Sequence, residues 1–414
     1  MNEGYDVILL GLSRWDNILN SSVLNIAFEW SKTNRVFYID RPFSFKDYFL
    51  VREKEALRRS QALLFGKHKY ERVKVGDGEI IAVTPKLSLP INFLPNGFAY
   101  DLLHNYNKAL LTTAISGIIS DFNVKDYLFF NSFIPEYFDV ITPKMRQPLL
   151  KVYRSSDDIS QEPYIAKHGV QKEKWAVKQA DLVLVSSYGL QKKLGCIRNP
   201  IYRVPNAAQF SLFEAHGSWQ KPKAMLAFEG KKTIFLSGNI SSLRIDYPLL
   251  LTIAKHFKSC QLLIAGPVKR EELAAYHLDS LENITWLGAM NLTAIANYLA
   301  YVDCAIIPFL KNTLTESIYP LKINEYLAAG KPVVSTNFSE DISSFASCIY
   351  LANNSEEFIT NIEKALAEPK DLARIKQRKE VAKGNSWEHR MDEIKRLVEL
   401  KIAEKQSNFE RSLE

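Results

Sequence analysis

Apolar positions along the chain fall into short continuous runs separated by longer stretches with a helical period. In the first half the runs are Tyr5–Leu10, Arg35–Asp40, Glu79–Thr84, Tyr127–Phe130, Leu149–Tyr153, Asp181–Ser186 and Tyr202–Pro205. Most are continuous and not alternating, as expected of parallel strands whose two faces are both covered by helices. Val73–Val75 and Glu79–Ile81 flank Gly76-Asp77-Gly78, which predicts a small hairpin inserted in that series. The pattern fades between Phe210 and Gly230, where turn residues without a period predict a linker. It restarts with strands at Lys232–Ser237, Gln261–Ala265, Ile284–Leu287, Cys304–Ile307, Pro332–Ser335 and Cys348–Leu351. Helices at Tyr247–Phe257, Leu292–Ala300 and Pro320–Ala329 lie between them, and helices at Ser355–Ala367, Leu372–Val381 and Trp387–Lys405 end the chain. The reading is two open, doubly wound parallel-sheet domains. Their expected bounds are 1–212, a linker at 213–230, a second domain at 231–385, and a final helix with a polar tail at 386–414 that returns to the first domain.

Length and composition agree with this. The 414 residues suit two domains, and 47% hydrophobic with 24% charged residues is ordinary for a globular protein. No apolar run approaches the ~18 residues that read as a membrane span; the best, Ala109–Ile119, is broken by Thr, Ser and Gly. The start Met-Asn-Glu-Gly-Tyr-Asp lacks a basic, then apolar, leader, so a cytoplasmic location is expected. Cys196, Cys260, Cys304 and Cys348 are scattered without zinc-site spacing and are expected to be reduced, with Cys260 and Cys304 buried.

The net charge of +7 is unevenly spread: residues 46–74 hold nine Lys/Arg against four acids, interleaved with Phe45, Phe49, Leu57, Leu63, Leu64 and Phe65. That mixture suits either a solvated helix beside a cleft or a segment lying on an anionic membrane face. No Asp-x-Asp, His-Glu-x-x-His, P-loop or Gly-x-Gly-x-x-Gly occurs, so the usual metal, ATP and dinucleotide fingerprints are missing, and neither a metal, a cofactor nor a nucleic acid is expected. The histidines (68, 104, 168, 216, 256, 277, 389) form no ligand-spaced pair and read as satisfied or solvated side chains.

In open α/β sheets ligands sit beyond the carboxyl ends of the strands. The loops to inspect are therefore Gly11–Trp15, Ser237–Arg244, Gly266-Pro267 and Lys311–Tyr319. Pro320 and Gly330 mark the start and the left-handed stop of a helix whose positive end would face an anion at Ile318–Leu321. Lys322 and Glu325, three apart, share a face of that helix. Asp157 and Asp158 follow a strand of the first half and read equally as acceptor contacts or as helix caps.

The run Pro320-Leu-Lys-Ile-Asn-Glu-Tyr-Leu-Ala-Ala-Gly-Lys-Pro-Val-Val-Ser-Thr336 resembles the donor-site signature of family-4 glycosyltransferases with the GT-B fold. Asp181-Leu-Val-Leu-Val-Ser, Val204-Pro-Asn-Ala, Ser237-Gly-Asn with Arg244-Ile-Asp246, Leu262-Leu-Ile-Ala-Gly-Pro267 and Ile284-Thr-Trp-Leu-Gly288 extend the likeness, nearest to bacterial enzymes of cell-surface polysaccharide synthesis. The resemblance implies two Rossmann-like halves and a metal-independent transfer with retention. The substrates implied are a nucleotide-diphosphate sugar, UDP-sugar favoured, and a glycan or lipid-linked acceptor. It further implies that Glu325 binds the donor ribose while Gly11, Ser237, Gly238, Asn239, Gly266, Ser317, Ile318, Tyr319, Pro320 and Leu321 surround the donor, with Arg244 and Lys322 offsetting charge on the departing diphosphate. Two positions depart from the family pattern: Asn239 replaces an Arg, and Ser317 stands where relatives often carry a Glu, with Glu316 one place off. Those departures leave room for a catalytically silent GT-B module that binds a partner glycosyltransferase, and the fold leaves room for a sugar-nucleotide epimerase or pyruvyl transferase.

Overall fold

The computed structural model describes residues 4–16, 21–161, 163–214 and 219–411. The chain divides into two compact units: Met1–Ser186 with Leu190–Val204 and Met391–Glu414, and Ser187–Gly189 with Pro205–Arg390.

The first unit carries strands β1 (Asp6–Gly11), β2 (Val36–Asp40), β3 (Tyr70–Val75), β4 (Gly78–Val83), β5 (Tyr127–Ser132), β6 (Leu150–Ser155), β7 (Leu182–Val185) and β8 (Tyr202–Arg203). They form one sheet in the order β3-β4-β2-β1-β5-β6-β7-β8, parallel except for the β3–β4 hairpin, which closes at Val75 and Gly78. The chain leaves β1 towards β2, then returns to the other side of β1 at β5, so the loops after β1 and β5 part and open a crevice.

The second unit repeats the device. Strands β9 (Thr233–Ser237), β10 (Gln261–Ala265), β11 (Ile284–Gly288), β12 (Cys304–Ile307), β13 (Val333–Thr336) and β14 (Tyr350–Ala352) lie in the order β11-β10-β9-β12-β13-β14, all parallel. Its switch point falls between β9 and β12. Successive side chains leave opposite faces of this sheet. Phe235, Leu263, Ala265, Ala305, Ile307 and Val333 enter one core, and Ile234, Leu236, Leu262, Ile264, Ile306 and Val334 the other. Burial on both faces is what made these strands read as unbroken apolar runs.

Some boundaries differ from those expected. Residues 213–230, expected as a linker, are packed where described: the short helices Phe210–Glu214 and Lys223–Leu226 bury Phe213 and Met225 in the second unit's core. His216 and the tail beyond Arg411 lie outside the described residues. The 46–74 segment is a π-turn at Lys46–Val51 and two short helices, Lys54–Arg58 and Ser60–Phe65, followed by β3. The final helix, Trp387–Arg411, belongs to the first unit from Met391 onward, where Lys405 Nζ reaches Leu149 O at 3.0 Å and Asp181 at 3.1 Å. Among the described residues no helix is long and apolar enough to cross a membrane. All four cysteines are free, and three are buried.

Candidate functional site

The crevice of the second unit is built from backbone. Gly238 follows β9 and Gly266 follows β10, with φ of +141° and +152°. A Cβ on residue 266 would lie 1.8 Å from Gly238 O, so no side chain fits there. Gly238 N donates to Ala265 O at 2.9 Å and Gly266 N to Gly288 O at 2.7 Å, fixing the strand ends against each other. The loop after β9 then meets the loop after β12: Asp246 N donates to Pro308 O, Leu310 N to Arg244 O, and Asn312 Nδ2 to Leu243 O. The helix Leu321–Ala328 is tied to the same floor by Tyr326, whose hydroxyl accepts from Ser237 N at 2.8 Å and lies 3.1 Å from Ser237 Oγ. Ser237, Gly238, Arg244, Gly266 and the helix that carries Lys322 and Glu325 are thus joined through one hydrogen-bonded framework.

Their chemistry is narrower than the sequence suggested. The amides of Ser317 and Ile318, two residues expected to surround the donor, donate to Leu314 O and Thr315 O and finish the short helix Thr313–Glu316. Pro320 is the residue before the helix and not its first turn; Leu321 N bonds Tyr319 O and Ile323 N bonds Pro320 O. Ser317, Ile318 and Tyr319 are buried, and Ser317 Oγ donates to Thr313 O. The loop is braced by Ser187 Oγ on Ser317 O at 2.7 Å, while Tyr188 N bonds Asp341. Arg244 is half-buried, and its guanidinium makes no hydrogen bond or ion pair among the described residues. Asn239 is exposed.

Glu325 is 2% exposed, and both of its oxygens meet Lys322 Nζ, at 3.0 and 2.8 Å. Burial pushes its carboxyl above the ordinary carboxylate range, and Lys322 only partly opposes that. A buried charge held at a cost to stability, next to a floor stripped of side chains, is a pattern of binding sites.

The first unit holds a separate cavity of about 690 Å³ beyond the carboxyl ends of β1, β2 and β5. Leu12, Ser13 and Arg14 enter it after Gly11, Arg41 and Ser44 after β2, and Phe133, Glu136 and Tyr137 after β5. The helix Phe98–Asp121 adds Tyr100, His104 and Asn107, four and three apart on one face. Gly11 itself packs under Tyr38, where an added Cβ would meet the phenol oxygen at 2.3 Å. It thus lies in the first unit, outside the framework of the other donor candidates. Asp157 and Asp158 are not among the cavity's walls. Asp158 caps the turn Ile159–Gln161 through Ser160 and pairs with Lys193; burial pushes its carboxyl up, but those bonds outweigh it and hold it below the usual range. Cavity-lining Tyr100, His104 and Glu136 had no signal in the sequence beyond helical spacing, because neighbours distant in the chain bury them. Among the described residues no group of three His, Cys, Asp or Glu side chains is placed to hold a metal.

Residues 231–368 match the family described as Glycosyl transferases group 1. The chain is similar to TuaH of Bacillus subtilis (strain 168), described as a teichuronic acid biosynthesis glycosyltransferase, at 27% identity over 221 residues. That alignment covers 51% of this chain and 55% of the relative, so the match spans about half of the relative's length. Among solved structures, the UDP-forming α,α-trehalose-phosphate synthase from Burkholderia xenovorans has a TM-score of 0.67 at 11% identity, covering 95% of this chain and 100% of that one. WaaG, a glycosyltransferase of lipopolysaccharide biosynthesis, has a TM-score of 0.59 at 12% identity, covering 95% and 99%. The two parallel-sheet α/β units are the GT-B fold.

Replacing Glu325 with Gln separates binding from stability. Because its carboxyl titrates higher in the fold than in the unfolded chain, this group's contribution to stability rises as pH falls from neutral towards the unfolded value of about 4.3 and is constant below it. Glu325→Gln should therefore unfold in urea at or above the wild-type midpoint at pH 7.5, with a smaller gain on acidification. A midpoint well below wild type at pH 7.5 would show that the pair is there for stability.

Proposed function

We propose that the chain, whose residues 231–368 match the family described as Glycosyl transferases group 1, transfers a sugar from a nucleotide-diphosphate sugar to a glycan or lipid-linked acceptor in cell-surface polysaccharide synthesis. The second unit holds the donor and the first the acceptor. The observation that carries this reading is the side-chain-free floor of Gly238 and Gly266 at a sheet switch point, with Arg244 and the Lys322–Glu325 pair on the loops that frame it. A backbone floor admits a diphosphate closely, and Glu325 offers carboxylate oxygens to ribose hydroxyls. As the bond from the anomeric carbon to the diphosphate breaks, the leaving group gains negative charge; Arg244 and Lys322 offset it while the acceptor oxygen forms the new bond and passes its proton to the departing diphosphate. Retention of configuration and a UDP-sugar donor are part of the proposal. TuaH, by its description, supports the polysaccharide setting.

A silent binding module is the second reading, favoured by Ser317, whose hydroxyl is spent on Thr313, and by Asn239 in the place of a cation. A thermal-shift panel of UDP, GDP and ADP separates the two. One nucleotide at a hundred times its Kd should add about 2.7 kcal/mol of apparent stability, with UDP the expected ligand. Arg244→Ala and Glu325→Gln should each weaken that response at least tenfold. No response to any of the three favours the silent module.

The proposal includes a peripheral position on an anionic membrane face through residues 46–74. Phe49, Leu50, Val51 and Phe65 are exposed there at 55%, 78%, 56% and 68%, beside exposed Lys46, Arg52, Lys54 and Lys67. Not every cation of the segment is available. Arg59 is buried between Asp40 and Asp16, and Arg58 pairs with Asp16 over the Trp15 ring. Arg52, Lys54 and Lys67 replaced together by Glu should thus release the protein from vesicles rich in phosphatidylserine without lowering its melting temperature. Equal sedimentation of variant and wild type would remove the membrane role.

A further inference from the structure

The helix Pro163–Gln179 of the first unit turns one face into the core and the other outward. Ala176 and Val177 enter the core. The helix's single acid, Glu173, is buried, and its carboxylate accepts from Tyr153 and Ser155 at 3.0 and 2.7 Å. The outward face carries Tyr164, Lys167, Lys174, Trp175 and Lys178, with Gln171 and Gln179 as its other exposed side chains. It therefore has three cations and no acid to offset them. Lys174 and Lys178 make no ion pair among the described residues, and Lys167 spends one of its three donors, on Phe93 O at 2.7 Å.

The arrangement repeats. Tyr164 is followed three residues on by Lys167, and Trp175 three residues on by Lys178. The two pairs are 11 residues apart, close to three full turns, so they share a face and stand about 16 Å apart along the axis. Both rings are open to solvent, Tyr164 at 64% and Trp175 at 41%. Both are also anchored. The Trp175 ring meets the buried Phe138 ring edge-on, with centroids 6.3 Å apart and planes at 73°. Tyr164 O accepts from Asn92 Nδ2, and His168 of the same helix holds that loop through Leu94 O and Asn96 Oδ1, at 3.1 and 2.8 Å. Phe93 of the loop adds a further ring, 70% exposed, beside Lys167. Exposed rings fixed in place lose little freedom when a ligand stacks on them.

What lies between the charges separates the anionic partners. A bilayer takes aliphatic side chains into its boundary, and this helix face exposes no Leu, Ile, Val or Met. A nucleic-acid strand carries a phosphate about every 3.4 Å, whereas the cations at 167, 174 and 178 are spaced by about 10 and 6 Å along the axis. A flat apolar surface with one charge close by, recurring at intervals, is the chemistry of a polysaccharide whose sugar rings bear carboxylates. The ring face stacks on Tyr or Trp, and the carboxylate reaches the lysine one turn on. We propose that the outward face of the helix Pro163–Gln179 is a surface site for a carboxylated polysaccharide, each ring–lysine pair taking one acidic sugar. This assignment rests on the transferase reading for its biological sense, since such a polymer is what the proposed reaction would lengthen, but its binding chemistry is tested by itself.

The test is isothermal titration calorimetry of the full chain with a decamer of galacturonic acid, with a dextran decamer, oligothymidylate and phosphatidylserine vesicles as controls. The galacturonate should bind, more weakly as salt is raised, and dextran should not. Free galacturonic acid, which cannot join the two pairs, should bind at least tenfold more weakly than the decamer. Lys174→Gln with Lys178→Gln leaves every packed side chain in place and should weaken decamer binding at least tenfold without lowering the melting temperature. Trp175→Ala should weaken it likewise, and Trp175→Tyr should restore it. If the alanine variant misfolds, the lysine pair decides. The inference is overturned if the galacturonate does not bind, if the lysine variant binds it as wild type does, or if that variant instead loses binding to the vesicles or to oligothymidylate. Galacturonate binding without any nucleotide response would sink the transferase reading and leave this surface standing. A nucleotide response without galacturonate binding would remove this surface alone.

Discussion

Gly238 O occupies the space in which a side chain on residue 266 would begin. The three neighbouring strands β9, β10 and β11 run out at Gly238, Gly266 and Gly288, and the amides of the first two are spent on Ala265 and Gly288 carbonyls. The sheet therefore continues past its last side chains as bare backbone, held in register by its own hydrogen bonds. Tyr326 fastens the helix Leu321–Ala328 to this floor through Ser237 and so fixes where Lys322 and Glu325 stand relative to it. A larger residue at 266 would push these loops apart, and the donor reading would lose its geometry with them.

Each unit buries charge, but for different ends. Arg59 in the first unit is enclosed with Asp40 and Asp16, with Trp15 and Phe43 rings against its guanidinium, and pins the 54–65 helices to the loop after β1. Breaking such a group typically costs about 3–5 kcal/mol, because it strands the partners it leaves behind. The Lys322–Glu325 pair is different: Lys322 is 22% exposed and can reach water if its partner is removed. A buried carboxylate whose cation is free to leave is poorly suited to structural work and well suited to receiving ligand hydroxyls.

Much of this architecture was legible in the chain because both faces of each sheet are covered, so strands appear as unbroken apolar runs. β10, β12 and the helix Ser355–Ala367 fall on the expected residues, and Gly330 ends its helix in the left-handed conformation the sequence required. Helix ends and loops were harder. The amides at 317 and 318 looked available because the four-residue helix Thr313–Glu316 that consumes them has no periodic signal. Residues 213–230 read as a linker because Phe213 and Met225 are single apolar residues among turn formers, and only tertiary packing gives them a core. His104 was passed over as one satisfied histidine among several. Its place among stacked rings comes from residues 33 and 64 positions away along the chain, at Tyr137 and His168, which meet it or its neighbour Tyr100 only after folding.

We propose that a nucleotide diphosphate lies on the backbone floor of the second unit. Hydrogen–deuterium exchange with and without saturating UDP tests it most directly. Slowed exchange is expected in peptides spanning 238–246 and 319–326, with peptides spanning 88–107 and 133–137 of the first unit unchanged. Slowing confined to the first-unit peptides, or no slowing anywhere, would contradict it.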